Sequence, residues 1–322
     1  MTILVAGGAG YIGSHFLRCL VDRGVPAVVI DDLSAGFADA VPEGIPLVRC
    51  EIGDREAVRH VLEEHEPEAV VDFAGLIQVG ESVQSPDRYY GVNVGQTLAL
   101  LDEMVRAGVR SFVFSSSAAV YGDPLRVPID EDHPKDPINP YGATKRIVEM
   151  AALDYGRAFG LRVACLRYFN AAGAHPDGTL SERHDPETHL VPLAIDAGLG
   201  RRGELVVFGN DWPTPDGTCV RDYIHVVDLA EAHWLALKKL ATGAGPLLLN
   251  LGTGDGYSVR QVIDTVGRIV GRPVPHRVGP RRAGDPPSLV AAVGRAQEVL
   301  GWKASRSDLE TIVEDAVRSR VA

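Results

Sequence analysis

Four cysteines in 322 residues, Cys19, Cys50, Cys165 and Cys219, are too few and too scattered for a disulfide framework. None of their spacings is that of a metal finger, so no metal is expected. Dispersed thiols in a chain of this size point to a reducing cytoplasm. Also missing is any apolar run near the ~20 residues of a membrane span. No basic segment with an apolar core precedes the opening TILVAGG, so no signal peptide is expected. Clustered cations are lacking too: 32 Lys and Arg stand against 43 Asp and Glu, a formal charge of −11. Nucleic acids and anionic membranes both require such clusters, and neither is expected as a partner. An anionic ligand must therefore be held by a few local cations. Internal repeats and low-complexity tracts are absent, and the composition is that of a globular chain long enough for one large domain or two ordinary ones.

What is present is a rhythm. ILVA, AVVID, PLVR, AVVDFAG, SFVFSSS and RVACLRYFN read as strands buried on both faces. Amphipathic stretches such as Ile12, Phe16, Leu17, Leu20 and Val21 separate them. This βαβ alternation predicts an α/β fold, a Rossmann-type doubly wound parallel sheet. From about Ala174 the texture changes to GAHPDGTLSERHDPETHL and GNDWPTPDGTCVRD, rich in Pro, Gly, Asp and Thr. Long irregular segments inside a compact protein are usually functional loops. HVVDLAEAHWLALKKL reads as a helix, and GPLLLNLGTG as a strand able to rejoin the first sheet. The expected organisation is a nucleotide-binding domain over residues 1–175, joined again by residues about 220–252, and a smaller C-terminal α/β substrate lobe over 176–322.

VAGGAGYIGSH places Gly7, Gly10 and Gly13 between the first strand and the first helix. Glycines there let backbone N–H groups and the helix N-terminus approach a pyrophosphate. The second strand ends at Asp31, where a carboxylate hydrogen-bonds a ribose 2′-hydroxyl and repels a 2′-phosphate, which favours NAD over NADP. Asp32 follows directly, and the pattern does not say whether one or both take part.

NPYGATKRIVEMAALDYG carries an apolar stripe at Val148, Ala151, Ala152 and Tyr155. Continued backward, the stripe reaches Lys145 and Tyr141, a cation and a phenol on an inward face. A tyrosine is a poor base near neutral pH, because its pKa is about 10. A lysine one turn away can favour the phenolate. Ser117, ending SFVFSSS, lies where a strand of such a sheet delivers residues to the ligand crevice, and its hydroxyl can bond a substrate oxygen. Phe73, Ala74 and Gly75 in DFAGLIQVGES end another strand with small residues that suit a close-lying cofactor. Asn93 is a polar residue on an otherwise packed-looking helix.

Tyr141-x-x-x-Lys145 with Ser117 and GxxGxxG resembles the extended short-chain dehydrogenase/reductase family. The blocks FAGL…VGESV, FSSSAAVYGD, PYGATK, LRYFNAAGAHPDG, VFGNDWPTPDGTCVRDYIHVVDLA, NLGTG and PRRAGD are similar to its UDP-hexose 4-epimerase branch, nearly end to end. The resemblance implies NAD-dependent inversion at C4, UDP-galactose to UDP-glucose, through a transient 4-keto sugar. Tyr141 is then the base, Lys145 tunes it and holds the nicotinamide ribose, and Ser117 bonds O4. The cofactor contacts it implies are Gly7, Gly10, Tyr11, Ile12, Gly13, Asp31, Asp32, Glu51, Ile52, Phe73, Ala74, Gly75, Asn93, Ser115, Tyr141, Lys145 and Tyr168. Around the UDP-sugar it implies Ser117, Tyr141, Asn170, His189, Leu190, Val206, Phe208, Arg221, Arg282, Asp285 and Leu289. Arg221 and Arg282 are also chemically suited to a diphosphate. A homodimer pairing helices from VNVGQTLALLDEMV and KRIVEMAALDYG is implied as well.

Four positions depart from the family pattern. Ile77 stands where a lysine often contacts the ribose, Glu51 replaces an Asp beside the adenine, His189 replaces an Asn near the diphosphate, and Ala119 replaces a Thr. Two other readings stay open at this stage. A dehydratase needs carboxylates directly after Ser117, where Ala118 and Ala119 stand. A non-catalytic NAD-sensing protein would tend to lose the Tyr-Lys pair. At the position walling off the sugar's C2 substituent, ungapped counting from RRAGD gives Leu289; a one-residue shift gives Ser288.

Overall fold

The computed structural model describes residues 1–282 and 285–321. Six strands in chain order open the main sheet: β1 (Ile3–Ala6), β2 (Ala27–Asp31), β3 (Leu47–Arg49), β4 (Ala69–Asp72), β5 (Ser111–Ser117) and β6 (Arg162–Tyr168). A seventh, Leu247–Leu251, pairs with β6, so the spatial order from that edge is 247–251, β6, β5, β4, β1, β2, β3. Every pairing in it is parallel. The order reverses between β1 and β4, and in such sheets that switch point opens a crevice at the carboxyl ends of the strands. β1, β2 and β4 are buried along their whole length, which is why they read as continuous apolar runs rather than alternating ones.

Helices cover both faces. Phe16, Leu17 and Leu20 of α1 (Tyr11–Val21) share one core with Leu229, Ala236 and Leu240 of the Val226–Ala241 helix. The opposite face packs Val58, Val61 and Leu62 with Leu100, Met104, Val148 and Ala152. Of the apolar stripe at 148–155, Val148 and Ala152 are fully buried, whereas Ala151 and Tyr155 are only partly so.

AVVDFAG and RVACLRYFN both read longer as strands than they are. β4 ends at Asp72, and β6 ends at Tyr168 before a separate short strand, Asn170–Ala172, that pairs with Tyr223–His225. Both breaks occur where the chain leaves the sheet to form the crevice. Residues Tyr90–Gln96 wind as a π-helical turn with Asn93 in its middle, a feature that often marks functional sites.

The second lobe has its own core, in which Val191, Ala194 and Ile195 meet Val262, Val266, Ile312 and Val313. The exchange of segments between lobes exceeds expectation. Ala296 and Trp302 also belong to the first lobe's core, and the Trp302 indole N–H donates to the carbonyl of Asp228 at 3.0 Å. Among the described residues no helix is long and apolar enough to cross a membrane.

Candidate active site

The glycine turn explains itself sterically. Gly7 has φ of +71°, and a Cβ there would sit 2.6 Å from the Ala74 nitrogen; one on Gly13 would sit 2.2 Å from the Gly7 carbonyl. Both glycines are needed to fold the turn onto the end of β4. Gly10 is different: a Cβ there meets only the Gly7 carbonyl, at 3.4 Å. It is also the N-cap of α1, with no side chain satisfying the free N–H groups of the first turn. An open helix N-terminus with unclaimed donors suits an anionic phosphate.

Asp31 closes this cradle. Its carboxylate accepts from the Ala9 and Leu33 N–H groups, each at 2.9 Å, and burial raises its pKa. Asp32 is exposed and accepts from Ser34 instead. The structure thus separates two residues the sequence left equivalent, and Asp31 is the one built into the phosphate turn. Tyr11 donates its hydroxyl to the Gly173 carbonyl at 2.8 Å, tying the turn to the residue that follows the Asn170–Ala172 strand. Ile52 is buried in one core, while Ile12 and Phe73 are partly buried against the other. Glu51 accepts from Gln96 at 2.8 Å and Ile77 is exposed.

Asn93 is buried, 4% exposed. Its amide accepts from the Leu76 N–H at 2.8 Å and donates to the Leu76 carbonyl and the Thr144 hydroxyl. It therefore clamps the Gly75–Leu76 loop to the helix that carries Lys145. That helix, Pro140–Phe159, is started by Asn139, whose side chain accepts from the Gly142 N–H, and by Pro140 in its first turn. Gly142 lets it approach closely, since a Cβ there would fall 2.4 Å from the Ala119 carbonyl. The Tyr141 phenol, one residue before, lies within reach of the Ser117 hydroxyl.

The electrostatics differ from the sequence expectation. Lys145 is 5% exposed; its Nζ donates to the Ser115 carbonyl at 3.0 Å and lies 5.9 Å from the Tyr141 ring centre. Burial pulls its pKa down to about 8, opposed by Asp72. Burial raises the pKa of Tyr141, and only the Ser117 hydroxyl opposes that. Asp72, at the end of β4, went unnoticed in the sequence. Its carboxyl is fully buried and is pushed up to about 6 by desolvation, with Lys145 opposing. Tyr168 is partly buried, its pKa raised by desolvation and by Tyr141, while the Ser115 hydroxyl bonds to His233.

A second unforeseen element lies under Ser117. Arg167 and Glu149 are both fully buried and pair through two hydrogen bonds, at 2.7 and 2.8 Å. Arg167 also donates to the Tyr121 hydroxyl, which donates to Asn250, and Ser116 donates to Glu149 at 2.6 Å. The network locks β5, β6 and the Tyr141 helix together.

Across the crevice, Asp222 is the hub. Asn170 donates its N–H to the Asp222 carbonyl, and the Asp222 N–H donates to the Leu289 carbonyl, each at 3.0 Å. Its buried carboxylate accepts from Thr253, Gly254 and Ala291. Arg221 pairs in register with Leu289, donates to the Val220 and Pro286 carbonyls, and approaches Asp285 to 3.7 Å. Phe208 and Val206 lie on the Leu205–Phe208 strand, and the Arg282 guanidinium covers the Phe208 ring at 4.3 Å. Leu289 packs against the Ala118–Val120–Tyr121 cluster beside Phe169, at the Ser117 end of β5. His189 caps the Leu190–Gly198 helix and bonds to Glu187 at 3.0 Å.

Residues 3–252 match the model of the NAD dependent epimerase/dehydratase family. A UDP-glucose 4-epimerase of Azospirillum brasilense is 52% identical over 315 residues, covering 98% of this chain and 90% of that protein. The crystal structure of UDP-glucose 4-epimerase from Brucella ovis in complex with NAD superposes with a TM-score of 0.96 at 49% identity, covering 98% and 97% of the two chains. That from Bifidobacterium longum, in complex with NAD⁺ and UDP, gives 0.94 at 35% identity, covering 100% and 98%.

Proposed function

The chain belongs to the NAD dependent epimerase/dehydratase family, and from that membership and the site's geometry we infer the reaction: NAD-dependent inversion at C4 of a UDP-hexose, interconverting UDP-galactose and UDP-glucose. The observation that carries it is Tyr141 beside Ser117, with Lys145 buried one turn further along the same helix.

The uncapped N-terminus of α1, with Gly7 and Gly13 folding the turn, fits the pyrophosphate of NAD. Asp31 fits the adenosine ribose. Bound there, NAD would supply a hydride acceptor and donor for C4, and the positive charge of its oxidised ring would favour the Tyr141 phenolate. Tyr141 takes and returns the proton of the 4-hydroxyl, so its oxygen must face C4 and the crevice together. Ser117 donates to O4 and holds it there. Lys145, fixed by the Ser115 carbonyl, reaches the nicotinamide ribose. Buried surroundings exclude water while the 4-keto sugar turns over.

In the second lobe, Arg221 and Arg282 hold the diphosphate. Phe208 and Val206 receive the uracil, while Asn170, His189, Leu190 and Asp285 complete the grip. Leu289 walls the sugar at C2; its packing beside Ala118 and Phe169 supports it over Ser288. Elimination of water is disfavoured by Ala118 and Ala119, which follow Ser117 without a carboxylate.

A homodimer accompanies this reading. Leu100, Leu101 and Met104 are fully buried within the chain, but Tyr90, Ile147 and Met150 are exposed on neighbouring helices. Those three would form the seam, in the cytoplasm that the cysteine usage suggests. A monomer mass by light scattering at micromolar concentration would reject it. For the reaction itself, purified protein incubated with UDP-galactose should yield UDP-glucose without net NADH. Stoichiometric NADH, or no epimer, would refute it.

A further inference from the structure

The loop between the sheet and the Leu190–Gly198 helix gathers four donors within eight residues: Glu182, His184, Glu187 and His189. One ligand atom from each lies within 4.8 Å of all the others. His189 Nδ1 is 3.0 Å from Glu182 Oε1 and 3.0 Å from Glu187 Oε1. His184 Nδ1 is 3.6 Å from Glu182 Oε1 and 3.6 Å from Glu187 Oε2. A tetrahedron with metal–ligand bonds of ~2.0–2.1 Å has donor–donor edges of about 3.3–3.4 Å. These separations, which use both Glu187 oxygens, lie on either side of that value, and the one-atom-per-residue set is contained within 4.8 Å.

The burial of Glu182, with the other three partly buried around it, makes the grouping costly without a cation. Glu182 is 5% exposed, and among the described residues its carboxylate meets only the two imidazoles of the group. The His184 Nδ1 and Glu187 Oε2 atoms are buried with no hydrogen-bond partner at all. Two carboxylates this close, out of water, repel each other. The nearest guanidinium, Arg320, approaches Glu187 only to 3.8 Å and also serves Asp196 and the Glu182 carbonyl. The exposed pair His60–Glu64 shows what an ordinary surface contact of this type looks like: open to solvent and built from two residues.

We propose that Glu182, His184, Glu187 and His189 form a site for one divalent transition-metal cation, of the kind that takes two imidazole nitrogens and two carboxylate oxygens. The expectation of no metal rested on cysteine spacing, whereas these donors contain no sulfur. The cation neutralises both carboxylates and staples residues 182–189 into a closed loop. His189 directly precedes the Leu190–Gly198 helix, so the metal would tie the loop to that helix's first residue. The site stands on its own geometry, whether or not the reaction reading holds.

Zinc is the probe. Protein stripped with a chelator, dialysed and reloaded with Zn²⁺ should retain about one equivalent by elemental analysis, and its melting temperature should rise on reloading. The Glu182→Gln/His184→Ala double variant should retain under about 0.1 equivalent and show no zinc-dependent rise, as should His184→Ala alone if the double variant folds poorly. His60→Ala, outside the cluster, should retain the full equivalent. Wild-type protein holding under about 0.1 equivalent would overturn the proposal, and so would His184→Ala binding zinc like wild type.

Discussion

Glu149 is the residue whose loss should be felt most widely. Replacing it with leucine leaves the Arg167 guanidinium fully buried, keeping only the Tyr121 hydroxyl of its three hydrogen bonds. Removing one partner of a buried ion pair typically costs about 3–5 kcal/mol, since the remaining charge has no counter-ion. A chain of 322 residues unfolds with an entropy of about 0.7 kcal/mol/K, so the loss corresponds to about 4–7 °C in Tm. The Ser116 hydroxyl also loses its acceptor, one residue before Ser117, so turnover should fall beyond what unfolding explains. Glu149→Leu with Arg167→Met replaces the pair by apolar groups of similar volume and should regain most of the Tm. The assays are thermal unfolding by circular dichroism and turnover of UDP-galactose at 20 °C. A single Glu149→Leu variant melting within about 1 °C of wild type would refute the reasoning, and so would a double variant no more stable than the single.

Tyr141→Phe removes the proton acceptor and keeps the ring, so kcat should fall by roughly 10² to 10⁴ while UDP-sugar binding measured by calorimetry survives; near-normal turnover would mean another base. Lys145 keeps its charge below its pKa of about 8 and loses it as pH rises through that value, so NAD binding to cofactor-free protein should weaken from pH 7 to 9. A flat NAD affinity over that range would contradict a charged Lys145 at the ribose. Leu289→Tyr should suppress any UDP-N-acetylglucosamine turnover and leave UDP-galactose turnover largely intact, and unchanged N-acetyl activity would show that Leu289 does not wall the sugar.

The sequence by itself determined the parallel sheet, because strands buried on both faces must be continuously apolar, and β1, β2 and β4 are. It also placed the glycine turn and the Tyr141, Lys145 and Ser117 trio, since those depend on local spacing along a helix and on strand ends. Return of Leu247–Leu251 to the sheet was legible for the same reason. Tertiary structure decided what depends on partners distant in the chain. Asp72 acquires its meaning from Lys145, Arg167 from Glu149, and Asn93 from Leu76 and Thr144. Asp31 and Asp32 are equivalent in a string of letters, yet one faces the Ala9 N–H and the other faces solvent. Even the direction of Tyr141's shift needed coordinates: desolvation raises its pKa, and the Ser117 hydroxyl opposes it. Burial and charge separation are three-dimensional quantities, and periodicity carries only the part of them that repeats along one element.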